Sequence, residues 1–147
     1  MRKRGGFTLT EVIVTIVIVG ILAAIAVPMV MGYIEKARMA EAEAGLIAIY
    51  INMKANRAET GAYDVKPDGT AIITGEVIRE DIVGGNVPGF GAGDLEGKYF
   101  RDGDYTLISV NHDSFIAKAL GSEMEVSERE LCIYETGVIG ACPVYGQ

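Results

Sequence analysis

The sequence predicts an α+β protein: one long N-terminal α-helix, its first half transmembrane and its second half amphipathic, packed on a small antiparallel β-sheet head domain. Three observations predict it. Residues 12–34 are 23 consecutive residues without a charge. Residues 35–60 then carry apolar side chains at three and four spacing among charges. Further on, residues 105–110 and 115–120 are rich in aromatic and branched side chains and flank a turn-forming Asn111-His112-Asp113-Ser114, which reads as a β-hairpin.

The chain has 147 residues, half of them hydrophobic, which is enough for one domain with a core and too little for a second. The apolar residues are concentrated near the N-terminus, so the chain is bipartite. Its formal net charge is −7, and loss of Arg2, Lys3 and Arg4 would take it to −10. A polyanion needs Lys and Arg to neutralise its phosphates, and no basic run occurs beyond those three, which argues against nucleic acid as a partner. The two cysteines, Cys132 and Cys142, enclose a glycine-containing stretch whose length suits a small disulfide loop in an oxidising compartment; free thiols are the alternative. Two thiols and one distant histidine are too few ligands for a zinc site.

As a helix, residues 12–34 would span roughly 35 Å, enough to cross a bilayer core. The basic residues precede the run, so the positive-inside rule leaves Met1 in the cytoplasm and carries the rest across. An ordinary secretory signal is the competing reading. The run is long for one, and it passes straight into an amphipathic pattern without a small-residue cleavage site followed by a loop. Glu11 stands at the edge of this stretch. Either it marks the helix start, where an acid favours the dipole and stays wet, or it has a cationic partner such as an N-terminal amine. The residues alone leave the two readings even.

The run Arg-Lys-Arg-Gly-Gly-Phe-Thr-Leu-Thr-Glu-Val-Ile-Val, continuing to Gly20, Ala23, Ala24 and Pro28, resembles the type IV pilin signature over residues 1–28. That family has a basic leader ending in Gly, a Phe that becomes the new N-terminus, a Glu four residues later, and an apolar helix with a proline. The resemblance implies cleavage between Gly6 and Phe7 by a prepilin peptidase, N-methylation of the Phe7 amine, and attraction of that amine by Glu11 of a neighbouring subunit. It also implies assembly through Phe7, Glu11, Gly20 and Pro28, with bending or unwinding near the last two. Pro28 lacks a backbone donor, and Gly20 and Gly32 weaken the helix around it, so a kink or local melting is expected. Thr10 departs from the apolar residue many relatives carry.

The amphipathic stripe comprises Met39, Ala42, Leu46, Ile49, Tyr50 and Met53, and is expected to face a sheet; Gly61 is a natural stop. The helix is therefore expected over residues 7–60. Gly61-Ala62-Tyr63 resembles the Gly-x-Tyr turn that follows this helix in pilins and pseudopilins, although Asp64 stands where those relatives commonly have proline. Short strands are expected at residues 71–74 and 98–100, in a section punctuated by Gly84, Gly85, Pro88, Gly89, Gly91 and Gly93. Gly89-Phe90-Gly91-Ala92-Gly93 lacks the lysine and the strand and helix context of a phosphate loop, and reads as plain loop. Arg101-Asp102-Gly103-Asp104 has too few ligands for calcium and reads as a turn. His112, the only histidine, sits at a hairpin tip and reads as solvated, with no catalytic arrangement around it. The tail, residues 131–147, resembles the disulfide-bounded C-terminal region of many type IV pilins, and many pseudopilins lack such a bridge.

The expected organisation is a cleaved leader at residues 1–6, a transmembrane and assembly half at 7–34, an amphipathic half at 35–60, and a loop-rich head at 61–147. The expected role is a structural subunit of a type IV pilus, without enzymatic activity, cofactor or metal. Its partners would be copies of itself or related pilins, the peptidase and an assembly platform. It would lie in the inner membrane first and in an extracellular pilus afterwards. The alternatives are a pseudopilin of a type II secretion system, working in the periplasm, or a minor pilin that adheres to surfaces or binds DNA.

Overall fold

The structure, a computed structural model, describes residues 6–72, 87–91, 93–121 and 130–143. Helix α1 runs Leu9–Thr60, followed by strands β1 Tyr105–Val110, β2 Phe115–Ala119, β3 Leu131–Tyr134 and β4 Ile139–Ala141. The chain divides into two compact units, Met1–Ala37 and Arg38–Gln147.

In the first unit every described residue is exposed, from Gly6 to Ala37. This segment is helical because its hydrogen bonds are satisfied locally, not because any described residue covers it. Of the kink or local melting expected at Pro28, the melting is not seen: α1 continues through the proline. One missing donor removes a single backbone bond, and the turns on either side keep theirs.

In the second unit one face of α1 is buried, through Ala42, Leu46, Ile49, Met53 and Asn56. The helix stops where the sequence predicted. Gly61 takes φ 87°, a left-handed conformation that closes a helix at low cost only for glycine, and its N–H donates to Arg57 O at 2.8 Å. Asn56, which is 3% exposed, then holds the chain after the turn, donating from Nδ2 to Val65 O at 2.8 Å and to Ala62 O at 3.4 Å.

The four strands form an antiparallel meander in the order β1-β2-β3-β4. On β2 the inward positions alternate as period two requires, with Phe115, Ala117 and Ala119 buried. Strand β1 buries Tyr105 and Val110, an odd number of residues apart. A β-bulge between Leu107 and Ser109 accounts for this, because one extra residue flips the parity and brings both ends to the core face. Tyr63 packs edge-on against Phe115 with ring centroids 5.0 Å apart, and Tyr50 lies 6.3 Å from the same ring.

The hairpin of β1 and β2 forms where the sequence placed it. Strands β3 and β4 were not foreseen within the tail; they pair Cys132 with Gly140, and the Cys132–Cys142 disulfide closes the end of that hairpin with Cα atoms 4.9 Å apart. Such a short closed loop contributes about 3 kcal/mol in the chain-entropy account. Residues 98–100 are not a strand. The N–H groups of Tyr99 and Phe100 both donate to the Glu41 carboxylate, so they are lost to any ladder. Of the expected strand at 71–74, Ala71 makes one antiparallel bridge with Val65, while residues 73 and 74 lie outside the described residues, as do Gly84 and Gly85.

Gly45 on α1 is dictated by packing: a Cβ there would overlap the ring and hydroxyl of Tyr105. We predict that Gly45→Ala destabilises the head by about 1–3 kcal/mol through overpacking, read as a lower urea midpoint by circular dichroism of the detergent-solubilised chain. An unchanged midpoint would contradict the tight seat assigned to Tyr105.

Candidate functional site

The N-terminus of α1 is built around Thr8 and Glu11. The first turn of a helix leaves N–H groups without partners, and here a capping box supplies them. Glu11 N–H donates to Thr8 Oγ1 at 3.3 Å, while Glu11 Oε2 accepts from the Thr8 N–H and the Thr8 hydroxyl, each at 2.9 Å. The carboxylate is thus held over the first turn, beside Phe7, which is 88% exposed. Sequence reasoning gave Glu11 a helix-start role but missed Thr8 as its local partner; the Thr-x-x-Glu spacing was the available signal.

Beyond Glu11 the helix presents large apolar side chains in all directions, among them Val12, Ile16, Leu22, Ile25 and Met31. This is a length and composition able to cross a membrane. The Thr15 hydroxyl satisfies itself by donating to Glu11 O and Val12 O at 2.9 and 2.8 Å. A Cβ built on Gly20 meets nothing within 4 Å, so packing inside this chain does not ask for that glycine. Glu11, Gly20 and Pro28 therefore lie along one exposed helical segment, with Gly6 and Phe7 just before it, and the Glu11 carboxylate is held by Thr8.

The carboxylates of the head are occupied differently. Glu41 Oε1 receives the N–H groups of Tyr99 and Phe100, each at 2.7 Å, across 58 and 59 residues of sequence. Gly97 makes room for it, since a Cβ there would strike that same oxygen. The Tyr105 hydroxyl donates to Glu41 O at 3.4 Å; burial, with the charges of Glu41 and Asp104, pushes that phenol up to about 12. Asp102 accepts from the N–H groups of Gly93 and Leu95 at 2.5 and 2.9 Å, and Asp104 from Arg101 at 2.8 Å, so residues 101–104 make a single 3-10 turn whose acids serve the backbone. Among the described residues no group of three potential metal ligands gathers. His112 lies at the exposed hairpin tip, its Nδ1 3.1 Å from Asp113 Oδ1, an oxygen that Arg57 also reaches at 3.1 Å.

Comparison with known proteins bears directly on the N-terminal segment. Residues 1–27 match the family model described as the prokaryotic N-terminal methylation motif. The fimbrial protein of Moraxella nonliquefaciens is 38% identical over 137 residues, covering 90% of this chain and 86% of that protein. The chain belongs to the type IV pilin and pseudopilin family. Fimbrial protein Q of Moraxella bovis is 34% identical over 108 residues, 65% of this pilin-family chain and 69% of its relative. Type II secretion system core protein G of Vibrio cholerae is 37% identical over 75 residues, so the chain spans only about half of that relative, 51%, and half of itself, 50%. No solved structure matches the chain significantly. The role of this pilin-like chain is structural, and its exposed helix fits anchoring in a membrane before assembly.

Burial works to raise the Glu41 carboxyl, but the N–H groups of Tyr99, Phe100 and Lys98 and the Lys98 charge outweigh it, leaving the group below its ordinary value of 4.5. A depressed carboxyl contributes stability above its unfolded value and loses it as pH falls through the folded one. We predict that Glu41→Gln lowers the stability of the head at pH 7 and shows a shallower further loss between pH 5 and 3 than the unmodified chain, about pH 4 being where carboxyls titrate. Parallel acid profiles from chemical denaturation at each pH would argue against this role.

Proposed function

We propose that this chain is a subunit of a type IV pilus, cut between Gly6 and Phe7 by a prepilin peptidase, methylated on the new Phe7 amine, and polymerised through α1. The match to a fimbrial protein along nearly the whole chain carries this reading, with the N-terminal methylation motif beside it. The proposed parts are the leader at residues 1–6, the membrane and assembly half of the helix at 7–34, its amphipathic half at 35–60, and the head at 61–147.

Before assembly the uncharged run lies in the inner membrane, with the leader in the cytoplasm and the head across the bilayer, as the Arg2-Lys3-Arg4 cluster favours. An acid in such a segment costs up to about 3 kcal/mol at the helix centre and less near the interface, so it is tolerated where it finds a cation or stays wet. Cleavage creates that cation: an ammonium on Phe7. Glu11 of one subunit then draws the Phe7 amine of the next, setting axial register, while packing of apolar helices supplies adhesion. The Thr8 cap supports this by holding the carboxylate at the first turn until a neighbour arrives. Gly20 and Pro28 give the helix a weak point at which it bends or unwinds as rods pack. An assembly platform of the pilus type completes the partners, and the reading needs no cofactor, metal or catalytic residue.

A second reading, a pseudopilin of a type II secretion system acting in the periplasm, is favoured by the secretion relatives that share the N-terminal half. The C-terminal disulfide and the longer match to fimbrial proteins support the pilus. A minor pilin with an adhesive role fits the same assembly chemistry; a DNA-binding one sits poorly with the acidic charge.

Mass spectrometry of the protein from its native host is expected to find methylated Phe7 at the N-terminus, and an intact Met1 on working protein would end the proposal. Glu11→Val is expected to yield a processed, membrane-inserted subunit that assembles at least about tenfold less filament, which corresponds to about 1.4 kcal/mol. Wild-type filament yield would remove Glu11 from assembly. Electron microscopy separates the two readings: surface fibres that contain this chain favour the pilus, and a secretion defect without fibres favours the pseudopilin.

A further inference from the structure

The segment that Glu41 pins to α1 carries a cation and an amphipathic ring, Lys98 and Tyr99. Because the N–H groups of Tyr99 and Phe100 are held at 2.7 Å by the Glu41 carboxylate, the backbone that bears the ring is anchored. Arg38, one turn before Glu41 on the same helix, brings its guanidinium carbon to 5.3 Å from the centroid of the Tyr99 ring, and the Lys98 ammonium lies at 5.1 Å. Both are within the roughly 6 Å over which a ring face attracts a cation. Lys98 is exposed and Arg38 and Tyr99 are half-buried, so the group sits at the surface of the head. Elsewhere in this unit Arg57 and Lys118 each meet a carboxylate at 3.1 Å. Here two like charges share one ring, within about a Debye length of each other. Glu41 is the acid beside them, and its carboxylate is turned to the two amides, with the Lys98 charge helping to hold it below its ordinary value. An anion reaching both cations would relieve their repulsion.

We infer that Arg38, Lys98 and Tyr99 form a lipid site, which holds the headgroup phosphate of an anionic phospholipid while the subunit resides in the membrane. The inference rests on the membrane stage of the reading above and adds a lipid partner for the head. Three observations select a lipid. The uncharged run ends at Ile34 and Arg38 follows four residues later, so chain length alone keeps Arg38 within about 14 Å of the end of the run. A headgroup layer is about 6 Å deep, and long cationic side chains extend from their backbone to meet it. The level of the membrane surface is marked just before: Tyr33 is 64% exposed and the Lys36 ammonium lies 6.0 Å from its ring, the aromatic and cationic composition that anchors a span at its edge. Charge is the third observation. The chain is acidic, net −7, so an anionic leaflet repels most of it, and a cation near such a surface favours contact by about fivefold. The Tyr99 ring suits the same boundary, with an apolar body and a polar tip. Transfer of the subunit into a filament would then release the lipid.

The chain contains no tryptophan, so Tyr99→Trp makes a single fluorescent reporter at the site. The full chain carrying it is placed in nanodiscs of phosphatidylcholine alone and of phosphatidylcholine mixed with phosphatidylglycerol, with acyl chains brominated near the headgroup as quencher. Quenching is expected to be at least about threefold stronger with phosphatidylglycerol, and Lys98→Gln, a change at an exposed side chain, is expected to remove the difference. A second measurement needs no reporter and decides alone if Tyr99→Trp fails to fold. Offered both lipids in equal amounts, the unmodified chain in detergent should retain phosphatidylglycerol in preference by at least about threefold, and Arg38→Gln or Lys98→Gln should bring the ratio toward one. Equal quenching in the two kinds of disc, or equal retention by the unmodified chain, overturns the site. A preference abolished by millimolar inorganic phosphate assigns the group to the free anion and overturns the lipid partner. Failure of the unmodified chain to enter discs at all would instead remove the membrane stage on which the site rests.

Discussion

The constraint on which the rest depends is that α1 carries an uncharged run that no described residue covers. Fully burying one Ile, Leu or Val side chain contributes about 1.5–3 kcal/mol, and more than a dozen such side chains stand exposed before Ile34. Among the described residues no loop or strand answers that demand. Such a surface fits anchoring in a membrane before assembly into a filament. That the role is structural rests on the fimbrial and pseudopilin relatives and the methylation motif.

The head is built so that one helix can be both rod and core element. Three details secure the second role. Gly45 admits the ring of Tyr105, Gly97 admits the carboxylate of Glu41, and the β1 bulge brings Tyr105 and Val110 to the same side of the sheet. Glu41 is the least replaceable of these contacts in kind: a carboxylate on the helix takes the place of a strand neighbour for the amides of Tyr99 and Phe100, which is why that segment bends where a strand was expected. The acids at Asp94, Asp102 and Asp104 do the same for nearby turns.

Much of the architecture could be read in advance. The helix bounds, the inward residues Ala42, Leu46, Ile49 and Met53, the Gly61 stop and the hairpin at Asn111–Ser114 all follow from period and turn chemistry within a few residues of one another. The Cys132–Cys142 bridge was suggested by composition and resemblance alike. What escaped had another cause. Strands β3 and β4 are four and three residues long, too short for alternation to register, and they exist because β2 offers an edge and the disulfide ties the hairpin. The Thr8–Glu11 box was visible as a spacing, yet the weight of Glu11 as a lone acid drew the reading toward distant partners.

By itself the sequence determined the properties that depend on neighbours along the chain: an uncharged run long enough for a bilayer, a helix through residue 60, an acidic body, and an N-terminal methylation motif within residues 1–27. Hydrophobic period, capping and net charge are local or additive, and need no coordinates. Only the tertiary structure decided which amides Glu41 would hold, which glycines are glycines for want of space, and that the head half of α1 buries the face of Ala42, Leu46, Ile49 and Met53. Those outcomes depend on groups brought together from 50 or more residues apart, roughly the separation at which loop closure and packing, not local preference, choose the partner.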